Sequence, residues 1–413
     1  MNAEKAYATS DTMKRWEDID FHKAREHVKK LQIRIAKAYQ DESFGKLVTL
    51  MHKLTHSFYA RALAVKIVSS NRGKNTSGVD GVLWITPEDK WNAIAELKRR
   101  GYKPKPLKRV YIPKSNGTKR PLSIPTMKDR AMQTLYKLAL EPIAEITADP
   151  NSYGFRTGRC TKDAIGRCAE VMSNYPEHVW ILEADIKGCF DNINQNWIMN
   201  HVPMDKEILR RILSSGYIEG QEYFPTVKGV PQGGCISTII CNMALDGLER
   251  ELGDSFPNIH YVRYADDFIV IGKDKGIMRH SVVPMVEAFL MKRGLSLSSE
   301  KTKITHITEG FNFLGWNVRK DNEQVVIIPS RKNQDNLLSK VEAVIIESPH
   351  ESHERICQLL VPIISGWVNY HKGVVTSASL ECAKSEILSC LWELTQDNRY
   401  GELINSLFFT VQL

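Results

Sequence analysis

Apolar residues recur at helical spacing between residues 20 and 66. Val28, Leu31, Ile35 and Ala38 fall on one stripe, which predicts helix with that face buried. Asp20 stands where an N-cap would accept backbone N–H groups. The pattern breaks at NRGKNTSGVDG (71–81), whose glycines and asparagines predict a loop. Helical spacing resumes at Thr86-Pro87, with proline at a first-turn position where its missing N–H costs nothing. RVYIP and RPLSIP, joined across SNGT, read as two short strands and a tight turn. Helix is expected over 129–148 and 161–173, with NSYGFRTGRC as a glycine-rich loop between them. VWILEADIKGCFDNI (179–193) begins as a strand and ends in a turn, and short helices follow over 195–216. TVKGVPQGGCIST (226–238) is a loop opening into a helix. Another helix is expected over 282–293. FNFLGWNV (311–318) and VVIIP (325–329) read as a pair of strands, and the pattern is helical from about 331. There is no internal repeat.

One apolar segment departs from this logic. YVRYADDFIV (261–270) has the composition of a buried strand, yet places Asp266 beside Asp267. Burial of an unpaired charge is costly. Neighbouring side chains of a flat strand also point to opposite faces, so the two acids could not share one site from it. If they sit at the turn of a hairpin, with HYVRY before and FIVIG after, both reach the same point. A second acid segment, LEADIKGCFDNI, places Asp185 at the end of an apolar strand and Asp191 six residues later. Carboxylates at strand ends suit Mg²⁺, which takes few protein ligands and completes its shell with water and phosphate oxygens. The alternative is that these acids are solvated turn residues.

Composition narrows the class. A chain of 413 residues implies several structural units, and 42% hydrophobic with 25% charged residues excludes global disorder. The net charge of +8 is unevenly spread: residues 341–413 carry nine acids and four Lys or Arg, a balance of −5, so the preceding residues carry +13. Residues 97–120 hold ten Lys or Arg and no acid. A basic hairpin grips phosphates, so a nucleic-acid partner is expected. The eight cysteines form no CxxC pair and the twelve histidines no HExxH, which argues against structural zinc and for reduced thiols. The N-terminus has no apolar signal core and the sequence no run of about twenty apolar residues. A cytoplasmic protein without membrane contact is expected.

The motifs GVDG (78–81), YIPKSNGTKRPLSIP (111–125), YGFRTGRC (153–160), ADIKGCFDNI (184–193), GVPQGG (229–234), RYADD (263–267), LSSEKTKI (297–304), FLGW (313–316) and IISGWVNYH (363–371) occur in order. Together they resemble those of reverse transcriptases, and within that family the proteins encoded by bacterial group II introns. The resemblance implies an α+β right-hand polymerase. It implies a helical N-terminal extension and loop over 1–81 and fingers over 82–180. The antiparallel-sheet palm would span 181–325 and a helical, maturase-like thumb 326–413.

The resemblance also assigns roles. Asp185, Asp266 and Asp267 would hold two Mg²⁺ ions, with Mn²⁺ as a substitute, and the Ile186 backbone carbonyl would assist. Asp185 and Asp266 would bridge both ions. Lys114 and Arg120 would hold the triphosphate of the incoming nucleotide, with Lys119 a weaker candidate. Phe190 would lie beneath its sugar and exclude a ribose 2′-OH; the plain alternative is a core phenylalanine. Gln232 and Gly233 would meet the nascent base pair. Lys301 would protonate leaving pyrophosphate, or serve only as a complementary charge. Arg156, Leu314, Gly315 and Trp316 would contact primer and template, although Trp316 suits a core equally well.

The expected partners are therefore an RNA template, a DNA or RNA primer and deoxynucleotides. Many relatives continue past the thumb into a basic DNA-binding region or a zinc-dependent nuclease. Here the sequence ends LWELTQDNRYGELINSLFFTVQL, acidic and then apolar. That tail is expected to pack against its own thumb or another chain. RNA-templated DNA synthesis is the leading expectation. Alternatives are an intron maturase whose polymerase activity is incidental, and a stand-alone enzyme with a host role in phage defence or repair, working on a dedicated noncoding RNA. An RNA-templated RNA polymerase shares the palm logic, but Phe190 argues against it.

Overall fold

The computed structural model describes residues 15–113, 117, 119–322 and 324–409. Its strands are β1 (Leu107–Pro113), β2 (Lys119–Ile124), β3 (Trp180–Asp185), β4 (Tyr217–Glu219), β5 (Glu222–Phe224), β6 (His260–Tyr264), β7 (Asp267–Gly272), β8 (Lys303–His306), β9 (Phe311–Phe313), β10 (Trp316–Asp321) and β11 (Gln324–Pro329). They form three sheets, ordered β2-β1-β4-β5, β6-β7-β3-β8 and β11-β10-β9. The chain divides into two compact units, one of residues 1–150, 186–251 and 285–297, the other of 151–185, 252–284 and 298–413.

In the first unit the periodic stretch from residue 20 is three helices rather than one: Phe21–Gln40, Phe44–His56 and Phe58–Ser70. Glu42 adopts a left-handed φ of 52° and Ser57 is extended, so the helical path is broken twice. The stripe itself is buried as expected, through Ala24, Val28, Leu31, Ile35 and Ala38. The Asp20 carboxylate accepts from the backbone N–H groups of His22 and Lys23. Thr86 and Asp89 form a reciprocal capping box ahead of the helix Pro87–Glu96. The helix Met127–Thr147 is buried along much of its length, including Arg130 and Asp129. Arg130 donates to the carbonyls of Gly73, Thr76 and Pro125 and so ties down the 71–81 loop. Asp129 accepts from the Tyr102 hydroxyl, the Lys105 N–H and the Thr126 hydroxyl. Burial raises the proton affinity of that carboxyl. β1 and β2 form the expected antiparallel hairpin, with Ile112 opposite Arg120 and Pro113 opposite Lys119.

In the second unit the helix Thr161–Asn174 covers the two palm-region sheets. Its Ala164, Ile165, Cys168, Val171 and Met172 pack with Ile181, Val262, Ile269, Ile271, Phe311, Trp316 and Val318. Each large aliphatic side chain so buried contributes roughly 1.5–3 kcal/mol relative to exposure. FNFLGWNV is not one strand: Leu314 (φ 51°) and Gly315 (φ 86°) turn the chain between β9 and β10. The apolar alternation slips by one residue at Phe313-Leu314, just ahead of Gly315, and that slip marks the turn. Four helices follow, Arg331–Glu347, His353–His371, Ser377–Thr395 and Tyr400–Phe409. Tyr400, Ile404 and Phe408 are buried with Leu337, Leu360, Ile364, Ile387 and Leu391. The apolar tail therefore packs into its own thumb as far as that helix is described. Residues 410–413 lie outside the described residues. No helix among the described residues is long and apolar enough to cross a membrane.

Candidate active site

The paired acids do sit on a hairpin. β6 and β7 pair with Tyr264 opposite Asp267, leaving Ala265 and Asp266 as a two-residue turn. Ala265 takes a φ of 60°, the positive value that twist-matched hairpin turns require. β3 lies antiparallel on the other side of β7 and places Asp185 directly opposite Asp267. Burial, then the charges of Asp266 and Asp185, push the Asp267 carboxyl up to about 6. Repulsion among three acids is thus built into the end of one sheet.

Lys301 answers part of that charge. Its ammonium lies 2.9 Å from Asp185 Oδ2, and the hydrogen bond to Asp185 raises its proton affinity.

Two supports of the turn were not anticipated from the sequence. Residues 151–154 run beside β6: Arg263 N–H donates to the Asn151 carbonyl and Tyr153 N–H to the Arg263 carbonyl, each at 2.9 Å. Gly154 then abuts the turn so closely that a Cβ there would lie 2.3 Å from the Ala265 nitrogen. Arg263 is fully buried, and its Nη1 donates to the Ala265 carbonyl at 3.2 Å. The glycine was visible within YGFR and the arginine within RYADD, but nothing in spacing shows that one meets the other's turn. On the same loop Phe155 is 53% exposed with a φ of 60°. Arg156, half-buried, donates to the Ser152 carbonyl at 2.6 Å.

The remaining sequence candidates fall as follows. In the first unit, Gln232 Nε2 donates to Asp191 Oδ2 at 2.7 Å, so Asp191 is engaged by the PQGG loop. The Gln232 carbonyl accepts from Ser123 N–H of β2 at 2.9 Å. Gly233 has a φ of 99°, and a Cβ there would lie 2.3 Å from the Ser123 carbonyl oxygen. That close approach requires glycine. Phe190 is half-buried, Ile186 is 2% exposed, and Lys119 and Arg120 are exposed. Lys114 lies outside the described residues. In the second unit, Leu314 and Gly315 are half-buried on their turn. Trp316 has no exposed surface and stacks on Tyr370 at 4.5 Å. Its ring is core and cannot touch a primer, which corrects its place among the contacting residues.

Among the described residues no three Asp, Glu, His or Cys side chains converge into a ready-made coordination shell. Asp185 Oδ2 accepts instead from Lys301 Nζ. The donor set nevertheless fits a hard divalent cation: hard carboxylate oxygens from Asp185, Asp266 and Asp267, with an upshifted Asp267 whose repulsion such an ion relieves.

Residues 112–318 match the family described as reverse transcriptase (RNA-dependent DNA polymerase), and residues 16–97 match the N-terminal domain of reverse transcriptase. The chain belongs to the reverse transcriptase family. It is of the group II intron type, since residues 334–399 match the group II intron maturase-specific domain. It is 30% identical over 302 residues to Protein YkfC of Escherichia coli, covering 62% of this chain and 78% of that one. It is 27% identical over 354 residues to the group II intron-encoded protein LtrA of Lactococcus lactis, covering 68% of this chain and 59% of that protein. An apo telomerase from Candida tropicalis overlays with a TM-score of 0.45 at 13% identity, covering 76% of this chain and 70% of its own.

Proposed function

We propose that this reverse transcriptase copies an RNA template into DNA through a divalent-metal site formed by Asp185, Asp266 and Asp267. The observation that carries the reading is the acid end of the sheet, where Asp185 faces Asp267 across β3 and β7 with Asp266 on the turn between β6 and β7. Mg²⁺, or Mn²⁺ in its place, would when bound offset charge on the attacking and leaving oxygens of nucleotidyl transfer. The Ile186 carbonyl is a further donor in this reading. A bound cation would offset the neighbouring charges that raise the proton affinity of Asp267.

The other residues act on nucleotide and nucleic acid. Arg120 offers a planar fork to phosphate oxygens and Lys114 a point charge. Phe190 sets the sugar preference. Gln232 and Gly233 present a braced loop to the nascent base pair. Lys301 keeps the acid cluster compensated and stands ready for the charge on leaving pyrophosphate. Arg156 and the Leu314–Gly315 turn meet primer and template, with the exposed Phe155 ring a further surface for base stacking. The substrates are deoxynucleotides, and the setting is cytoplasmic.

The test is extension of a primer on an RNA template with deoxynucleotides and Mg²⁺. Extension by the wild type and none by the Asp266→Ala, Asp267→Ala double variant is expected. No extension by wild type, or extension surviving both substitutions, overturns the reading. The maturase-specific match over 334–399 favours a second activity, folding of a cognate intron RNA. It predicts that the same double variant still supports splicing. Sequencing the RNA that co-purifies with the protein separates an intron with its exons from a short dedicated noncoding RNA.

A further inference from the structure

The IISGWVNYH segment belongs to the maturase-specific region, yet its last residues close on the turn between β9 and β10. The Tyr370 hydroxyl donates to the Leu314 carbonyl at 2.7 Å. Its ring stacks on Trp316 with centroids 4.5 Å apart and planes 13° off parallel. Trp367 Nε1 donates to Asn333 Oδ1, and His371 Nε2 lies 3.2 Å from the same oxygen. That oxygen only accepts, so the His371 proton sits on Nε2. Asn333 in turn borders the turn: a Cβ on Gly315 would lie 2.8 Å from Asn333 Nδ2. Ser330 N–H donates to the Gly315 carbonyl at 3.0 Å. The end of the helix is itself held, because Lys162 Nζ donates to the carbonyls of Asn369 and Lys372 at 3.1 and 2.6 Å.

Leu314 carries a left-handed φ of 51°. A branched side chain holds that conformation only where surroundings fix it. Here both flanks of the turn are fixed, the Leu314 carbonyl by Tyr370 and the Gly315 carbonyl by Ser330. We propose that Tyr370 is a positioning residue for the primer: with Asn333 it clamps the Leu314–Gly315 turn in the shape that meets the primer strand. The maturase-specific helix is then a working part of polymerisation. This rests on the reading of Leu314 and Gly315 as primer-contacting residues.

The test uses the full chain with Mg²⁺, an RNA template and a DNA primer. Tyr370→Phe removes one oxygen and keeps the stack on Trp316. Loss of that one hydrogen bond is expected to raise the KM for primer–template about fivefold. The KM for deoxynucleotide and the fraction of active sites should stay unchanged, and the melting temperature should fall only slightly, as the loss of one half-buried hydrogen bond requires. Leu314→Asp, which sets a negative charge against the primer backbone, is run beside it. If Leu314→Asp raises the primer KM and Tyr370→Phe does not, the clamp is overturned while the primer contact stands. If neither moves it, the primer-contact reading fails and the clamp falls with it. Equal rises in both KM values, or a lower melting temperature with fewer active sites, would reduce Tyr370 to a general structural role and also overturn the proposal.

Discussion

Gly154→Ala is the smallest perturbation that reaches the proposed catalytic turn without touching a charged group. The added carbon would lie 2.3 Å from Ala265 N, 2.9 Å from Tyr264 C and 3.0 Å from Ala265 Cα. All three are backbone atoms, so no side chain can swing aside. Ordinary contact begins at 3.4 Å, so the 151–154 segment and the turn must separate by roughly 1 Å. The segment is pinned to β6 by the Arg263 and Tyr153 backbone hydrogen bonds, which directs the displacement into Ala265 and Asp266. A shift of about 1 Å at a reacting centre costs on the order of 100-fold in rate. Overpacking of this kind costs about 1–3 kcal/mol of stability. The assay is single-nucleotide incorporation on an RNA template, with primer–template affinity measured by fluorescence anisotropy and unfolding followed by circular dichroism. Turnover should fall about 100-fold while duplex affinity stays near wild type. Turnover within about threefold of wild type, in a folded protein, would refute the claim that this glycine sets the turn. Should Gly154→Ala fail to fold, Arg263→Lys tests the same turn from the other side, since the lysine lacks the guanidinium fork.

Asp185→Asn should abolish Mg²⁺-dependent extension. In the metal-free protein it should also lower the proton affinity of Asp267, one of whose raising charges is Asp185; carboxylate NMR titration would show an unmoved Asp267 if the coupling is wrong. Phe190→Ala should admit ribonucleotides, narrowing discrimination against them by about tenfold or more, and competition between the two nucleotide pools reads it directly. His371 has no exposed surface, and burial, with the nearby Lys162 charge, pulls its imidazole down from 6.5 to about 4. The unfolded chain therefore binds the extra proton across that interval. Stability contributed by the neutral ring is complete above about pH 6.5 and is lost as pH falls towards 4, a change of at most about 3 kcal/mol. Urea unfolding at pH 7 and pH 5 measures it, and His371→Asn should flatten the dependence; an equal slope in both proteins would exclude His371 as its source.

Much of the site was legible because its chemistry sits in order along the chain. Two adjacent acids in an apolar segment could share a site only from a turn, and β6 and β7 make that turn. The basic hairpin was legible from strand, turn and strand residues, and the Asp20 cap from a side chain that can accept backbone N–H groups. What stayed hidden depends on contacts between distant segments. Gly154 reads as one more loop glycine until the backbone of Ala265 is placed against it. Trp316 is an aromatic beside a turn, and its ring is covered by residues remote in sequence, Tyr370 54 residues later and the cluster that includes the helix Thr161–Asn174. Composition left the apolar tail two places to pack, its own helical region or another chain, and the burial of Ile404 and Phe408 with the preceding helices selects the first for that helix.

The breaks in local preference are themselves ordered. In the second unit Phe155, Ala265 and Leu314 all carry left-handed backbone without being glycine. Each such residue costs on the order of 1–3 kcal/mol and persists only where neighbours over-determine it. For Ala265 those neighbours are Gly154 and Arg263; for Leu314 they are Tyr370 and, through Gly315, Asn333 and Ser330. Propensity along the chain would have straightened both turns. Straightened, β6 and β7 would send Asp266 and Asp267 to opposite faces, and FNFLGWNV would run as one strand with no turn at all. The residues that look least remarkable in sequence, a glycine in a loop and a tyrosine in a helix, are therefore the ones that hold in place the acids and the turn proposed to contact the primer. Substitutions there should separate catalysis from folding more cleanly than substitutions in the apolar strands between them.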